Sequence, residues 1–186
     1  MRKTVMILAL LLTAACGRMP RVHYYDFSLD APARAAAPAA GVLWVQPFTA
    51  LPAGGQDRMV YRDSAWEIQF DAYRRWIAPP PELLREALVE YLRGTNRYAA
   101  VVTASPHQEP FSVLAVRLLR FDETIAAQGR TGVTRFWFEL TDERGGLLRS
   151  GYIEGSAEIT GADAGGLVAG MRDSAARAFA ELLEKL

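Results

Sequence analysis

Residues 65–94 read AWEIQFDAYRRWIAPPPELLREALVEYLRG, and this stretch decides the predicted fold. Its first nine residues alternate between apolar and polar side chains, and the apolar face carries Trp66, Ile68, Phe70 and Ala72. A period of two residues is typical of a half-buried strand. We therefore predict a strand at 65–73 with Trp66 on its apolar face.

The second part of the stretch predicts a helix. Proline is tolerated in the first helical turn, where amide hydrogens lack an intrahelical partner, so Pro79-Pro80-Pro81 is a suitable beginning. Gly94 suits the C-terminal end. One apolar face then repeats at helical spacing through Leu83, Leu84, Ala87, Leu88, Tyr91 and Leu92.

The flanking sequence contains further strand-like segments separated by turn residues. Upstream of the opening stretch they are 22–29, 42–48 and 58–62, with a loop predicted at 30–41 and a hairpin turn at Asp63-Ser64. Downstream, the strand-like segments are 98–104, 111–123, 133–143 and 147–159. Gly145-Gly146 predicts a hairpin between the last two. A final helix is predicted from about Asp163 to the end, with one side formed by Leu167, Met171, Ser174, Ala175, Ala178 and Leu182.

Strands followed by a helix thus occur twice, which indicates a weak internal duplication. If 65–73 pairs with 98–104, the helix between them is a right-handed crossover and that pair is parallel. The hairpins supply antiparallel neighbours. We expect an α/β (mixed α+β) single domain, in which two helices cover a mixed sheet with mostly antiparallel strands.

Composition limits the classes of function. The 186 residues include 21 basic and 21 acidic side chains, and their formal net charge is zero. Because no run of basic residues occurs, a nucleic-acid partner is not expected. The 51% hydrophobic content is sufficient for a folded core.

The first 15 residues have the pattern of a targeting segment. Arg2 and Lys3 precede an apolar run and a group of small residues that ends at Cys16, the only cysteine. The sequence LTAAC at 12–16 resembles the bacterial lipobox, which implies a signal peptide at 1–15, a lipidated tether at 16–21 and a periplasmic domain at 22–186. An ordinary cleavage site beside a chance cysteine is the alternative. A disulfide within the chain is excluded because Cys16 has no partner.

The sequence contains no constellation that predicts catalysis or a cofactor. His23 and His107 are the only histidines, and neither has metal-ligand spacing to a second ligand. Asp122-Glu123 and Asp142-Glu143 are expected to be solvated turn residues. In FWF at 136–138 one ring must point opposite to the other two, and we interpret these rings as core packing. A lipid-binding groove is the alternative use of the aromatic side chains.

Several short patterns between residues 42 and 92 resemble the ABC-type transport auxiliary lipoprotein family, which includes the PqiC-type lipoproteins. The patterns are QPF, RMVYR, YRRW and PPPELL, and they follow the lipobox cysteine and a tyrosine pair. The matching positions are Cys16, Tyr24, Tyr25, Val45, Phe48, Arg58, Val60, Tyr61, Arg62, Tyr73, Arg75, Trp76, Pro79, Pro80 and Leu83.

The resemblance implies a non-catalytic lipoprotein anchored in the outer membrane of a Gram-negative bacterium through acylated Cys16, facing the periplasm. Its expected partners are a mammalian-cell-entry (MCE) domain protein and the associated ABC transporter, which move lipid between the inner and outer membranes. Homo-oligomerisation is left open. The alternatives are a periplasmic lipid- or amphiphile-binding lipoprotein and a general envelope-assembly lipoprotein. Residues expected either to bind a partner or to determine the fold are Arg58, Tyr61, Arg62, Tyr73, Arg75, Trp76 and Pro80.

Overall fold

The computed structural model describes residues 20–30, 41–106 and 110–186. The predicted signal peptide 1–15, Cys16, His107 and most of the predicted loop 30–41 lie outside the described residues. The elements in chain order are β1 His23–Tyr25, β2 Val42–Val45, β3 Thr49–Ala50, a short 3-10 helix Pro52–Gly55, β4 Arg58–Arg62, β5 Gln69–Trp76, α1 Pro80–Thr95, β6 Ala100–Val102, β7 Phe111–Ala126, β8 Gly129–Asp142, β9 Leu147–Glu158 and α2 Ala164–Lys185. As predicted, strands followed by a helix occur twice.

All of these strands belong to one mixed sheet. β7, β8 and β9 are long neighbours that pair antiparallel. On the other side of β7, the strands β2, β3 and β4 follow one another and run parallel to it, from Val42 opposite Phe111 to Arg62 opposite Thr124. The prediction of a mixed α+β domain is confirmed, and its longest pairings are antiparallel.

Different strands extend the sheet at the two ends of β7. β6 pairs with β2 beside the beginning of β7, whereas β5 and then β1 extend the sheet from β4 beside its end. The conditional pairing of 65–73 with 98–104 is wrong, because β5 and β6 run in opposite directions and do not touch. Instead α1 lies over β2 and β6, where Arg85 donates to the carbonyl oxygens of Val45 (2.8 Å) and Thr103 (2.7 Å).

Both helices cover the same face of the sheet and contact each other. The rings of Tyr91 on α1 and Phe179 on α2 lie 5.8 Å apart, and Phe179 also packs against Phe136 of β8 at 6.3 Å. α2 approaches β9 so closely that a Cβ added at Gly155 would lie 2.0 Å from the carbonyl oxygen of Ser174. α2 therefore packs directly on the backbone of β9 and covers this part of the core.

The opening stretch folds with different boundaries from those predicted. β5 begins at Gln69, opposite Tyr61, so residues 63–68 form the connection of the β4–β5 hairpin. The Asp63-Ser64 hairpin is therefore confirmed, but Trp66 lies in the connection and is 95% exposed. The turn is shaped by the Glu67 amide, which donates to Ser64 Oγ at 3.1 Å.

The helix of that stretch is confirmed, with one correction at its end. Pro79 is the N-cap and the apolar face is buried as expected. Gly94 lies inside the last turn, and Asn96 takes the left-handed conformation, with φ of 56°, that ends the helix. The final helix begins after Asp163, whose carboxylate accepts a hydrogen bond from the Gly166 amide at 2.9 Å.

Candidate functional site

The residues that carry the sequence motif meet in the β4–β5 hairpin and the beginning of α1. Arg58, Tyr61 and Arg62 lie on β4, and Tyr73, Arg75 and Trp76 lie on β5, while Pro80 is the first residue of α1. The antiparallel register places Arg58 opposite Arg75 and Tyr61 opposite Gln69. Sequence neighbours thus become one continuous structural unit.

Arg58 and Tyr61 hold the two strands of this hairpin together. The Arg58 guanidinium donates to the carbonyl oxygens of Phe70 (3.2 Å) and Asp71 (3.3 Å), and it stacks over the Phe70 ring at 5.0 Å. The Tyr61 hydroxyl donates to Oε1 of Gln69 at 2.6 Å. These side chains therefore make contacts within the fold.

Arg62 joins the hairpin to β7 through a buried carboxylate. Asp122 is only 2% exposed, and it accepts hydrogen bonds from Arg62 Nε at 2.9 Å and from Arg120 Nη2 at 2.6 Å. The hydrogen bond with Asp122 holds the pKa of Arg120 above its ordinary value. One buried acid thus fixes two arginines and two strands.

The neighbouring carboxylate, Glu123, is also buried, so the prediction of solvated turn residues at Asp122-Glu123 is wrong. Glu123 accepts from Arg130, whose Nη1 also donates to the Gly161 carbonyl oxygen at 2.8 Å. The error arose because β7 continues to Ala126 and the two acids lie within it. At Asp142, by contrast, the turn interpretation is correct, since its carboxylate accepts from the Gly146 amide at 2.7 Å.

The last residues of β5 differ in their exposure. Trp76 lies in the core, whereas Tyr73 is open to solvent. Trp76 is 2% exposed and packs against the rings of Phe27 at 5.8 Å and Phe121 at 5.2 Å. Arg75 forms an ion pair with Asp57 at 3.1 Å, whereas Tyr73 is 46% exposed. Tyr73 therefore presents an open ring on the β4–β5 hairpin.

Asp71 stabilises the strand between these residues. Burial by itself raises the pKa of Asp71, but hydrogen bonds from the Tyr73 amide (2.8 Å), the Arg74 amide (2.7 Å) and the Arg74 guanidinium outweigh burial and hold the pKa below its ordinary value. The carboxylate is thus a negatively charged cap for the β5 backbone.

The aromatic residues of β8 divide between the two faces of the sheet, as predicted. Phe136 and Phe138 are buried under the helices. Trp137 points to the opposite face, where its ring contacts Tyr152 at 4.7 Å, and Arg135 lies over the Tyr152 ring at 5.2 Å. The inner rings are core packing, and the outer pair forms a small open aromatic patch.

A groove of about 400 Å³ runs between the segment after β1 and the first turns of α1. We call it the α1 groove. Its apolar lining comprises Phe27, Leu29, Ile77, Ala78, Leu83 and Ala87, and its acidic residues are Asp26, Glu82, Glu86 and Glu90. Glu90 is bound by Arg93 of the same helix at 2.7 Å. The groove therefore combines an apolar floor with a negatively charged rim.

A second open feature lies at the end of the sheet where β4 and β7 finish. Trp66 (95% exposed), Ile68 (38%) and Ile125 (37%) project there from the connection 63–68 and the last residues of β7. A cleft of about 590 Å³ lies between residues 62–65, where this connection begins, and residues 124–126 at the end of β7. We call these three side chains the hairpin-tip surface.

Within the described ranges, no group of three or more His, Cys, Asp or Glu side chains could hold a metal ion. In the same part of the chain, no helix has the length and apolar character needed to cross a membrane. The buried acids described above each have an arginine partner, which is the arrangement expected of structural charges.

Comparison with known families decides the classification. The family described as ABC-type transport auxiliary lipoprotein component matches residues 25–182. The chain belongs to this family. The resemblance drawn from the QPF, RMVYR, YRRW and PPPELL patterns is thereby confirmed, and the matched region extends from β1 to the last turn of α2.

Solved structures agree with this family at the level of the fold. Protein XCC0632 from Xanthomonas campestris, a DUF330 family protein, has a TM-score of 0.77 at 18% identity, covering 87% of this chain and 92% of that one. A second structure, titled an uncharacterized protein, has a TM-score of 0.68 at 17% identity, covering 89% of this chain and 98% of that one. No curated protein matches.

In this auxiliary lipoprotein the family motif is used largely inside the domain. Its arginines bind carbonyl or carboxylate groups of neighbouring strands, and Trp76 fills the core. Sequence reasoning missed both open features. The α1 groove forms only when the segment after β1 packs against α1, which local sequence patterns do not show. The hairpin-tip surface depends on the register in which β4 pairs with β5. For the tip, the turn residues Asp63-Ser64 immediately before Trp66 were the available signal.

Proposed function

We propose that this chain is a lipid-anchored, non-catalytic auxiliary component of an MCE-type ABC transport system that moves lipid between the inner and outer membranes. The observation that carries the proposal is the family match over residues 25–182. The lipobox-like LTAAC at 12–16 supports the anchor. In this role the domain docks the periplasmic MCE assembly against the outer membrane.

The anchor is acylated Cys16. A single acyl chain binds a bilayer only marginally, at about 0.8 kcal/mol per buried methylene, whereas two or three chains hold firmly. Gly17 follows the cysteine, and the aspartate associated with retention at the inner membrane is absent from that position. We therefore place the lipoprotein in the outer membrane, facing the periplasm.

The chemistry of the described side chains supports docking over catalysis. The buried acids Asp122 and Glu123 are neutralised by Arg62, Arg120 and Arg130. Groups that must hold strands together cannot also exchange protons with a substrate without weakening the fold. A docking component needs a rigid domain and open surfaces, and the α1 groove is one such surface.

A second candidate function is direct binding of an amphiphile, which the α1 groove favours by its apolar lining and its volume of about 400 Å³. This volume lies within the range of small-molecule sites. Asp26 and Glu82 in the acidic rim repel an anionic headgroup, whereas Glu90 is bound by Arg93, so a cationic or neutral amphiphile fits better than an acidic phospholipid. Native mass spectrometry of the purified protein distinguishes the functions, because a binder retains an amphiphile and a docking component does not need one.

The anchor is tested by labelling with radioactive palmitate. Cys16→Ala should abolish labelling and release the protein from the membrane fraction, with the thermal unfolding of the domain unchanged. Thr13→Leu is the matched control in the same segment, and it should label like the wild type. Continued membrane retention of Cys16→Ala would contradict the lipid anchor.

The transport role is tested by capture of the full acylated protein from detergent extracts of its own host. We expect an MCE-domain protein and its ABC transporter to be recovered with it. Recovery of neither, in extracts that preserve other envelope complexes, would overturn the MCE assignment and would favour a general envelope-assembly role.

A further inference from the structure

The hairpin-tip surface has a composition that is unusual for an exposed turn. Trp66 is almost fully open to solvent, and Ile68 and Ile125 at the same end of the sheet are more than a third exposed. Tryptophan has a large apolar body with one polar N–H group, and this combination is enriched where proteins meet the interfacial region of a bilayer. These side chains are therefore suited to a lipid surface.

Trp66 and Ile125 project from the same end of the sheet. β4 and β7 are parallel, with Tyr61 opposite Glu123 and Arg62 opposite Thr124, so both strands leave the sheet side by side. One side of the cleft between them is lined by residues 62–65 and the other by residues 124–126. The apolar side chains thus lie at one end of the sheet, on the β4–β5 connection and on the last residues of β7.

β1 begins on the side that faces that same end of the sheet. β1 pairs parallel to β5, with His23 opposite Arg74, and β5 begins at Gln69 beside the tip. The chain traced back from His23 therefore leads toward Gln69 and away from the Phe111 end of β7. The 16 residues of β7 make the sheet about 50 Å long, so the direction of the tether decides which end faces the membrane.

The length of the tether agrees with this orientation. Cys16 lies 7 residues before His23 in the sequence, and 7 residues span at most about 25 Å. The distance along β5 from Arg74 back to Gln69 is about 17 Å. A fully extended tether can therefore bring a lipid at Cys16 about level with the tip, and the tether is too short to hold the tip far from the bilayer.

Charge at the tip indicates the kind of lipid. Asp63 and Glu67 are exposed carboxylates beside Trp66, and Arg62 and Arg120 are already bound to Asp122. A surface with exposed acids and engaged arginines is not attracted to anionic headgroups. Contact must come from the apolar side chains, which suits a zwitterionic lipid surface and depends little on salt.

We propose that the hairpin-tip surface is a membrane contact, in which the Trp66 indole enters the interfacial layer of the bilayer that holds acylated Cys16. The inference rests on the lipid anchoring proposed above and adds a defined orientation. The tip faces the membrane, and the Phe111 end of β7, together with β2 and β6, faces the periplasm.

The test uses the full acylated protein in phosphatidylcholine vesicles whose acyl chains carry bromine, which quenches nearby tryptophan fluorescence. Wild-type fluorescence should be quenched, and Trp66→Phe should reduce the quenched signal by about half or more because Trp44, Trp76 and Trp137 lie on strands away from the connection 63–68. Trp137→Phe is the matched control, since it removes a tryptophan on the outer sheet face and should leave the quenching in place. The difference should persist at high salt.

The outcomes separate the tip from the anchor. If the acylated protein floats with the vesicles but wild type and Trp66→Phe are quenched equally, the membrane contact is overturned. The lipid anchor would still stand in that case. Failure of the wild-type protein to float would overturn both. If Trp66 remains unquenched by lipid but becomes shielded when the MCE partner is added, the tip is a protein-binding surface and the lipid assignment is wrong.

Discussion

Trp66 and Trp76 lie ten residues apart in one stretch of sequence, yet the first is 95% exposed and the second is 2% exposed. Trp76 packs between Phe27 and Phe121 at the end of β5, where β1, β7 and the helices converge. Trp66 lies in the connection of the β4–β5 hairpin, where no second layer covers the sheet. The same residue type thus stabilises the core in one region and forms an open surface in the other.

Charged side chains also differ between the two regions. Arg58 and Arg62 of the motif bind carbonyl or carboxylate groups of neighbouring strands, and Arg75 binds the Asp57 carboxylate just before β4. The hairpin tip carries the exposed acids Asp63 and Glu67 instead. The arginines of the family motif therefore make contacts within the fold of this region.

The sharpest test of the comparison is the unfolding free energy of two alanine variants. Trp76→Ala removes a fully buried ring and should lower the free energy of unfolding by about 3–5 kcal/mol. Trp66→Ala removes an exposed ring and should change it by no more than about 0.5 kcal/mol. Urea titration followed by circular dichroism measures both. A similar loss in both variants would mean that the tip is part of the core.

The next largest effect is expected where α2 approaches β9. Gly155→Ala places a Cβ 2.0 Å from the Ser174 carbonyl oxygen and 2.5 Å from the Ala178 amide nitrogen. The helix must shift, and we expect a loss of about 1–3 kcal/mol in the free energy of unfolding. Denaturant titration is the measurement.

Gly151 supplies the matched control on the same strand and face. A Cβ added there lies 3.6 Å from Phe138 Cε1, which is an ordinary contact. Gly151→Ala should therefore be neutral or stabilising by about 0.5 kcal/mol, because alanine loses less conformational entropy than glycine. If both variants lost the same free energy of unfolding, the contact with α2 would not be the reason that position 155 requires glycine.

The smallest effect concerns pH and the β5 backbone. Because the folded-state pKa of Asp71 is below its ordinary value of 3.8, its ionised form contributes stability above that value, and this contribution is lost as pH falls through the folded-state pKa. Asp71→Asn should lower stability at pH 7 and make the loss on acidification shallower. The pKa of Glu181, lowered by its hydrogen bond with Lys185, leaves part of the acid dependence in place.

Urea titrations of wild type and Asp71→Asn between pH 7 and strongly acidic pH measure this difference. Parallel stability curves would contradict a stabilising role of the Asp71 carboxylate. The result also bears on the comparison, since Asp71 supports the strand that carries buried Trp76 but not the connection that carries Trp66.

Local patterns predicted much of the fold. RMVYR at 58–62 is a strand with the predicted boundaries, the prolines begin α1, and the apolar positions of α2 are buried as expected. These predictions succeeded because strand alternation, helical spacing and capping depend on residues close in sequence. The open surfaces were not predictable in the same way, because each combines segments that are distant in the chain.

The burial of Asp122 and Glu123 is an example of a missed long-range effect. A bulge between Leu118 and Arg120 shifts the alternation of β7, so Phe121 turns toward the core after the even-numbered residues Leu114, Val116 and Leu118. Asp122 can then be buried because Arg120 lies two residues away on β7 and Arg62 reaches it from β4, and Glu123 can be buried because Arg130 reaches it from β8. A charge is stable inside a protein only when its partner is in place, and a sequence pattern does not supply the partner.

The sequence by itself determined the element types, the strands-then-helix order, the family motif and the place of Cys16, since these depend on local spacing and residue chemistry. Only the tertiary structure decided that β5 and β6 lie apart, that Trp76 is buried while Trp66 is exposed, and that β1 runs parallel to β5, away from the hairpin tip. The physical reason is register: strand pairing across the chain decides which face and which end each residue occupies, and local periodicity contains no information about that pairing.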